Sequence, residues 1–260
     1  MRSLEASLRA LRDTGRKALV PYFVAGATPD WVRHVEAAAL GGADAIEIGI
    51  PFSDPMMDGI VIQEAGLQAL RAGTTFESVG RDLAALDSEI PLIAMTYYNI
   101  FLHYGLERSA GRLQEFGISG AIVPDLSLEE SDEWRGACAT HDVSTIFLVA
   151  PSTPPTRIEE VTRYSEGFLY ASARMAVTGA SSDEGDGARV VAQVREASDI
   201  PVYVGIGITT PHQAATISAV SDGVIVGSAL VKEILNGASA HDVETFVRSF
   251  RDAIDAAPQG

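Results

Sequence analysis

Residues 44–60 read DAIEIGIPFSDPMMDGI, an apolar strand that runs into a polar loop rich in proline and glycine. Alternation along the strand places Glu47 on the face opposite the isoleucines, between two small residues. The isoleucines are Ile46, Ile48 and Ile50. If they pack on helices, Glu47 points into whatever the sheet encloses, where burial would raise its pKa towards neutrality and suit a general acid or base. A buried glutamate paired with a neighbouring donor is an equally weighted alternative from this segment alone.

Composition limits the class of protein. The chain has 260 residues, of which 47% are hydrophobic and 21% charged, enough for one large core. A formal net charge of -16 argues against nucleic acid and anionic membranes as partners. The single cysteine, Cys138, excludes an internal disulfide framework and a cysteine-rich metal site, and we expect it to be structural, within a helix. Without a signal-like apolar N-terminus or an apolar run of about 18 residues, the sequence predicts a soluble cytoplasmic protein.

Strand and helix patterns alternate along the chain. An amphipathic helix over 2–13 comes first, and Gly15 ends it. Eight apolar strand candidates follow, at 18–25, 44–50, 91–97, 120–125, 145–151, 167–173, 201–207 and 223–227. Helical patterns lie between and after them, at about 29–41, 61–72 with 75–87, 106–116, 128–140, 155–165, 187–198, 211–219 and 239–255. This alternation predicts an α/β fold, a (β/α)8 TIM barrel with an extra N-terminal helix, as a single domain over 1–260. An open doubly wound sheet is the less favoured alternative.

In such a barrel the active site lies at the C-terminal ends of the strands. Residues there are candidates for chemistry, and residues at strand starts are candidates for stability. The candidates at or near predicted strand ends are Glu47, Tyr97, Asp125, Tyr170, Gly207 and Gly227. No lysine ends a strand, which argues against Schiff-base chemistry, and the five histidines show no metal-ligand spacing.

The last two predicted strands end in glycine-bearing turns. These are Gly205-Ile-Gly207 and Gly227-Ser228-Ala, the second followed by a short helical segment. Glycine lets a ligand approach the backbone closely, and a helix N-terminus presents unpaired N–H groups. Because many barrels bind phosphate at these two loops, the pattern predicts a phosphate site made of backbone amides. The alternative is that the glycines only make tight turns.

The segment over 178–187 is long, polar and rich in glycine. It predicts a mobile lid, and a plain flexible linker is the alternative. Its acidic residues, Asp183, Glu184 and Asp186, are expected to face solvent because carboxylates are unfavourable beside a phosphate.

Several motifs together resemble the tryptophan synthase alpha subunit family over nearly the whole chain. The matching segments are Glu47 through Gly59, Met95 through Asn99, Val123 through Leu126, Tyr170 through Gly179, Gly205 through Ile208 and Gly227 through Ala229. The first of these is highly specific to that family. The resemblance implies a lyase of tryptophan biosynthesis that splits indole-3-glycerol phosphate into indole and glyceraldehyde 3-phosphate by retro-aldol cleavage, with no cofactor and no metal.

The implied chemistry gives roles to three candidates. A carbon–carbon bond beside an indole ring breaks once the ring carbon is protonated and the neighbouring hydroxyl loses its proton, and Glu47 would perform both transfers. Asp58 would stabilise the positive charge that spreads to the ring nitrogen. Tyr170 would place its hydroxyl near the hydroxyls of the substrate.

The resemblance also implies a set of substrate-binding residues. The indole pocket would be lined by Tyr22, Met95 and Tyr97, and the phosphate would be held by Gly179, Gly207, Gly227 and Ser228. Thr178 would help the lid close by reaching towards Asp58. Asp125 would either touch the substrate or brace the pocket.

A beta subunit is the partner that the resemblance implies, in an alpha2beta2 assembly. Ile60, Ile100 and Ser127 stand where the family usually has proline, in loops on the face where the beta subunit docks. Each lost proline would lower the stability of its loop by ~0.4–1 kcal/mol, because the unfolded chain gains conformational entropy. A stand-alone lyase that releases indole for a specialised pathway, with weakened dependence on a beta partner, is therefore the minor alternative to an ordinary alpha subunit.

Two further classes of function stay open from the sequence. A non-catalytic barrel that only activates a beta partner is disfavoured because both Glu47 and Asp58 are present. A sugar-phosphate isomerase or epimerase would share the phosphate turns but not the segment 47–59, and an epimerase would tend to need metal ligands.

Overall fold

The computed structural model describes residues 4–172, 184–205 and 207–257. Nine strands run through these ranges: β1 (Ala18–Val24), β2 (Ile46–Gly49), β3 (Leu92–Met95), β4 (Ile118–Ile122), β5 (Ser144–Ile146), β6 (Leu148–Val149), β7 (Leu169–Ser172), β8 (Val202–Gly205) and β9 (Gly223–Val226). They form one parallel sheet in the order β5-β4-β3-β2-β1-β9-β8-β7-β6. Only Phe147 separates β5 from β6, and its carbonyl accepts a 3.0 Å hydrogen bond from the Tyr170 backbone of β7. The two short strands are thus halves of one barrel strand, and the sheet closes.

The predicted TIM barrel is confirmed, and the open doubly wound sheet is wrong. The fifth predicted strand appears as β5 and β6, and the last two as β8 and β9. The fourth begins earlier than predicted, at Ile118 rather than residue 120. Gly117, with a φ of 76°, turns the chain into β4 there, and the turn-like residues beside it concealed the strand start.

Helices cover the outside of the barrel. Among the described residues they are α1 (Leu4–Asp13), α2 (Trp31–Leu40), α3 (Ile60–Arg71), α4 (Phe76–Leu83), α5 (Tyr98–Tyr104), α6 (Leu106–Glu115), α7 (Asp132–Thr140), α8 (Pro155–Tyr164), α9 (Glu184–Ala197), α10 (Pro211–Ser218), α11 (Ser228–Leu235) and α12 (Ala240–Asp255), with a 3-10 turn at Leu128–Glu130. Cys138 lies buried in α7, as predicted. None of these helices is long and apolar enough to cross a membrane.

The sequence patterns did not predict α5. The third predicted strand, 91–97, ends at Met95, and Tyr97 instead caps the N-terminus of α5. The first backbone N–H of that helix, from Tyr98, donates to the Asp125 carboxylate at 2.9 Å. Asp125, which follows β4, therefore accepts the hydrogen bond at the start of this helix. The residues next to α5 in the sequence do not indicate that contact.

The two faces of β2 pack as the alternation predicted. Ile46 and Ile48 belong to the outer core, which includes helical residues such as Val35. Ala45 belongs to the inner core of the barrel, with Ile93 of β3. Glu47 lies on the same face as Ala45 and is paired in register with Ile93, so its side chain points into the barrel.

The N-terminal helix closes the bottom of the barrel. Leu4 and Leu8 of α1 are 1% and 2% exposed and join the inner core. A Cβ added to Gly167, just before β7, would lie 3.1 Å from Leu4 Cδ2, which places the helix against the strand starts. The C-terminal ends of the strands form the opposite, open end, which we call the mouth.

Charged residues fix the strand starts. Asp44, just before β2, accepts hydrogen bonds from the Leu19 backbone at 2.9 Å and from Arg251 Nη1 of α12 at 3.1 Å. Its other carboxylate oxygen accepts from Arg16 Nε at 2.8 Å. Asp44 and Arg251 are both nearly buried, and the pair ties the last helix to the first two strands.

The predicted lid over 178–187 is only partly within the described residues. Its residues from 178 to 183 lie outside them, including Asp183. The end of the prediction is wrong, because α9 begins at Glu184 and contains the last four residues. Asp186, predicted to face solvent, is partly exposed and pairs with Arg189 at 3.0 Å, one helical turn along α9.

Candidate active site

Glu47 is the most buried ionisable group at the mouth. Its side chain is 1% exposed, and Oε2 has no hydrogen-bond partner among the described residues. Burial, and secondarily the charge of Asp58, raises the pKa of Glu47 to about 8. The donor that a merely structural glutamate would need is thus missing for this oxygen in the described part of the chain. The group is protonated at neutral pH and able to give a proton.

Asp58 lies in the loop between β2 and α3. Burial raises the pKa of this half-buried carboxyl to about 6, and hydrogen bonding to the Tyr97 hydroxyl lowers it in part. The same hydroxyl accepts a 2.8 Å hydrogen bond from the Met57 backbone N–H, and the Tyr97 ring stacks on Phe52 with centroids 5.1 Å apart. Tyr97 therefore holds the loop at Phe52, at Met57 and at the Asp58 carboxylate. At neutral pH Asp58 is largely ionised while Glu47 is not.

Two tyrosines lie close enough to the carboxyl groups to feel the charges of both. Tyr22 of β1 is paired in register with Glu47, and Tyr170 lies on β7. Burial and the charges of Glu47 and Asp58 raise the pKa of both phenols well above 10, so both stay protonated as donors. Gly205 makes room for Tyr170, because a Cβ there would lie 2.1 Å from the Tyr170 hydroxyl.

A small cleft opens at the mouth beside β2; Gly49, two residues beyond Glu47, lines it, and Glu47 itself does not. Tyr22 and Asp58 line it together with apolar residues of the β2–α3 segment. The full lining is Tyr22, Val24, Gly49, Ile50, Pro51, Phe52, Pro55, Asp58, Ile62 and Gly66. The lining is mostly apolar with one carboxyl group, a combination that matches the chemistry of an apolar ring with one polar edge.

The glycine turns lie beside each other at the mouth. β8 and β9 pair in parallel, so Gly207 and Gly227 follow neighbouring strand ends. Gly207 has a φ of 94°, and Gly227 precedes α11 with no side chain capping that helix. The first backbone N–H groups of α11, starting at Ser228, therefore have no partner within the helix and are open to an anion.

The remaining predicted residues are placed less centrally. Met95 is half-buried at the end of β3 and packs against both the inner core and the cluster around Tyr22. Asp125 is exposed, and its contact with α5 is a bracing one, so contact with substrate stays a prediction. Thr178 and Gly179 lie outside the described residues. No group of three metal-ligating side chains occurs within the described ranges.

Sequence reasoning missed the role of Gly49. A Cβ on this residue would lie 2.0 Å from the Tyr22 hydroxyl, so only glycine fits. The signal was present in the alternation, because Gly49 is two residues beyond Glu47 on the same strand face. What the sequence did not show is which neighbouring side chain fills the space.

Comparison with known proteins identifies the family. A model of the family described as "Tryptophan synthase alpha chain" matches residues 8–255. The chain is 42% identical over 245 residues to the tryptophan synthase alpha chain of Solibacter usitatus, with 92% of each chain covered. The chain belongs to the tryptophan synthase alpha chain family. It is also 41% identical over 238 residues to the alpha chain of Streptomyces coelicolor, covering 90% of this chain and 88% of that one.

Solved structures of tryptophan synthase have the same fold. The subunit alpha of Legionella pneumophila matches with a TM-score of 0.89 and 32% identity, over 98% of this chain and 99% of that one. A Mycobacterium tuberculosis tryptophan synthase structure matches with a TM-score of 0.89 and 36% identity, over 96% and 97%. The function predicted from the sequence, a lyase of the alpha-chain type in tryptophan biosynthesis, is thereby confirmed. The isomerase, epimerase, regulator and stand-alone alternatives are not favoured.

Proposed function

We propose that the chain cleaves indole-3-glycerol phosphate at the cleft beside Glu47. One observation carries the assignment of roles: Asp58 in the lining of the cleft has a pKa of about 6, and Glu47 on the adjoining strand has a pKa of about 8. Such a separation leaves one group as an acid and the other as an anion at the same pH. Retro-aldol release of indole needs one of each.

Proton transfer through Glu47 balances the reaction. The protonated carboxyl gives its proton to the ring carbon that bears the glycerol chain, and positive charge spreads to the ring nitrogen. The resulting carboxylate then removes the proton of the adjacent hydroxyl. The carbon–carbon bond breaks, its electron pair restores the aromatic ring, and indole leaves with an aldehyde. Glu47 ends protonated, ready for the next turnover.

Asp58 stabilises the charged intermediate. Its carboxylate lies at the cleft that we assign to the ring, where a ring N–H would donate to it. The positive charge develops on that nitrogen only after protonation, so the interaction strengthens in the transition state and lowers the barrier. Tyr97 supports this role because it holds both the carboxylate and the loop that carries it.

The other end of the substrate lies across the mouth. Gly207, Gly227 and Ser228 offer backbone N–H groups to the phosphate, and Gly179 would join them. Tyr170 donates to a glycerol hydroxyl, since its phenol stays protonated near Glu47. Tyr22 and Met95 bound the ring, and Thr178 meets Asp58 when the lid closes. The proposal needs no cofactor and places the reaction in the cytoplasm.

Indole release is the direct test. The purified chain is incubated with indole-3-glycerol phosphate, and indole and glyceraldehyde 3-phosphate are quantified by chromatography. We expect the two products in equal amounts. A folded chain that releases neither would contradict the proposed reaction.

Activity should be highest between about pH 6 and pH 8. Below that range Asp58 becomes protonated and no longer stabilises the cation. Above it Glu47 loses the proton that it must give. A profile of kcat/KM against pH, at constant ionic strength, should therefore be bell-shaped. A flat profile over this range would exclude the assignment of the two roles.

Replacing Tyr97 by phenylalanine should move the acidic limb of that profile to higher pH. The hydroxyl lowers the pKa of Asp58, so its removal raises that pKa above about 6. Tyr98→Phe is the matched control, because Tyr98 follows Tyr97 as the first residue of α5 and does not line the cleft. An acidic limb that stays in place in Tyr97→Phe would show that the hydroxyl does not act on Asp58.

A beta subunit docks on the mouth, beside the β2–α3 loop. The support is an exposed apolar surface in and after that loop, with Met56 67%, Met57 53% and Ile60 75% exposed. Ile60 is the first residue of α3, where the proline usual in the family would fit without loss of a hydrogen bond. The lost proline leaves the loop looser before docking and so weakens the coupling to the partner.

Met56→Ser should weaken activation by a beta subunit at least about fivefold in half-maximal partner concentration. Leu40→Ser is the matched control: Leu40 is 70% exposed at the end of α2, at the closed bottom of the barrel. Indole release is measured while the beta subunit is titrated. If the beta subunit leaves the rate of the wild-type chain unchanged, the stand-alone alternative replaces the assembly.

A further inference from the structure

The phenol of Tyr22 occupies the space above Gly49. A Cβ built on Gly49 would lie 2.0 Å from the Tyr22 hydroxyl oxygen and 2.5 Å from the ring carbon that carries it. Because Tyr22 is in register with Glu47, Gly49 is the next inward-facing position along β2, towards the mouth. The hydroxyl of Tyr22 thus reaches past Glu47 and lies over the strand that carries it.

The other end of the same side chain lies at the proposed phosphate turn. A Cβ added to Gly227 would lie 3.6 Å from Tyr22 Cβ, an ordinary contact. Tyr22 therefore spans from the turn that would hold the phosphate to the strand of the proton donor. Gly49 and Tyr22 together form one wall of the cleft.

The hydroxyl on this wall borders the cleft. Tyr22 as a whole is 9% exposed, and its hydroxyl forms no hydrogen bond with another described residue. Its neighbours in the cleft include the apolar side chains of Ile50 and Ile62 and the carboxyl group of Asp58. A ligand atom that can hydrogen-bond to this hydroxyl replaces the hydration that the hydroxyl loses when the cleft is filled, and an apolar ligand atom does not.

We propose that Tyr22 determines the ring specificity of the lyase. Its hydroxyl favours indole rings that carry a hydrogen-bonding substituent, such as a hydroxyl group, at the ring edge facing Gly49. It disfavours rings with a methyl group at the same carbon, which leave the phenol unpaired. Gly49 is the positioning residue, since any side chain there would displace the phenol. The inference rests on the proposed function, because it takes this cleft as the ring site.

The test compares hydroxyindoles with methylindoles substituted at the same carbon of the six-membered ring. Each compound is measured as an inhibitor of indole-3-glycerol phosphate cleavage, with product detected as the aldehyde. At one ring position, the wild-type chain should bind the hydroxy compound at least about tenfold more tightly than the methyl compound. In Tyr22→Phe that ratio should fall to about one or below, because the polar group is gone and its space is free.

Tyr203→Phe is the matched control. Tyr203 is a buried tyrosine of the inner core that stacks on Phe168 with centroids 4.4 Å apart and does not line the cleft. The inhibition ratio should equal that of the wild type. A change in the ratio confined to Tyr22→Phe identifies the hydroxyl as the cause, which a general loss of stability would not do.

Each outcome separates the two proposals. If the wild-type chain cleaves the substrate but prefers no hydroxyindole at any position, the specificity role of Tyr22 is wrong, whether or not the variant folds. If Tyr22→Phe keeps the wild-type ratio, the role is equally wrong. A chain that cleaves no substrate would overturn the proposed function itself.

Discussion

Replacing Glu47 by glutamine should reduce kcat for indole release by about 10³-fold or more, towards the upper end of the 10²–10⁴-fold range of general acid–base catalysis. The reduction is large because one group both gives and takes the proton, and an amide does neither. The KM for the substrate should change little, since glutamine keeps the shape of the side chain. Single-turnover kinetics of purified Glu47→Gln tests this, and near-normal turnover would exclude the mechanism.

The same substitution should stabilise the fold at alkaline pH. The pKa of Glu47 rises from 4.5 to about 8 on folding, so the folded chain binds a proton that the unfolded chain has lost. Stability of the wild type therefore falls as pH rises from about 4.5 to about 8, by an amount of the order of a few kcal/mol. Glu47→Gln lacks this dependence. Its denaturant midpoint relative to wild type should be higher at pH 9 than at pH 5, and an equal difference at both would contradict the raised pKa.

Asp58→Asn should reduce kcat by about 10²–10³-fold, the usual cost of removing one group that stabilises transition-state charge. An amide still accepts a hydrogen bond from the ring N–H but carries no charge to offset the cation. The acidic limb of the pH profile that protonation of Asp58 causes should disappear, because asparagine does not titrate. The alkaline limb should move to lower pH, because the charge of Asp58 contributes to the raised pKa of Glu47.

Asp54→Asn is the control for that experiment. Asp54 is an exposed carboxylate of the same loop, hydrogen-bonded by its neighbour Ser53 at 2.6 Å. Assayed without a partner, it should keep the rate and both limbs of the profile. If Asp54→Asn and Asp58→Asn behave alike, the effect belongs to the charge or mobility of the loop and not to a contact with the ring.

Alternation of residues predicted the position of Glu47 because a strand in a closed sheet has only two faces. Isoleucines on one face of β2 pack on helices, which leaves Glu47 for the interior. The same logic located the barrel, α1 and the buried Cys138. In each case hydrophobic periodicity over a short segment contained the needed information.

Features fixed by distant contacts were not predictable in this way. The start of α5 depends on Asp125, more than twenty residues further along the chain. The break at Phe147 depends on how β5 and β6 meet their neighbours, and the need for glycine at residue 49 depends on a tyrosine of another strand. Pairings of this kind are properties of the closed barrel, and a reading of one segment at a time does not contain them.

The position of β1 between β2 and β9 has a consequence for synthesis of the chain. During translation the strand that carries Glu47 emerges early, while the turns proposed for phosphate emerge near the end. Tyr22 borders both, so the catalytic pocket is assembled only when the last strands join the first one. A nascent or truncated chain that lacks β8 and β9 would hold both carboxyl groups and the residues of the cleft yet lack the turns proposed for the phosphate. Catalysis at the proposed site thus requires that the first and the last strands of the barrel have both been made and have paired.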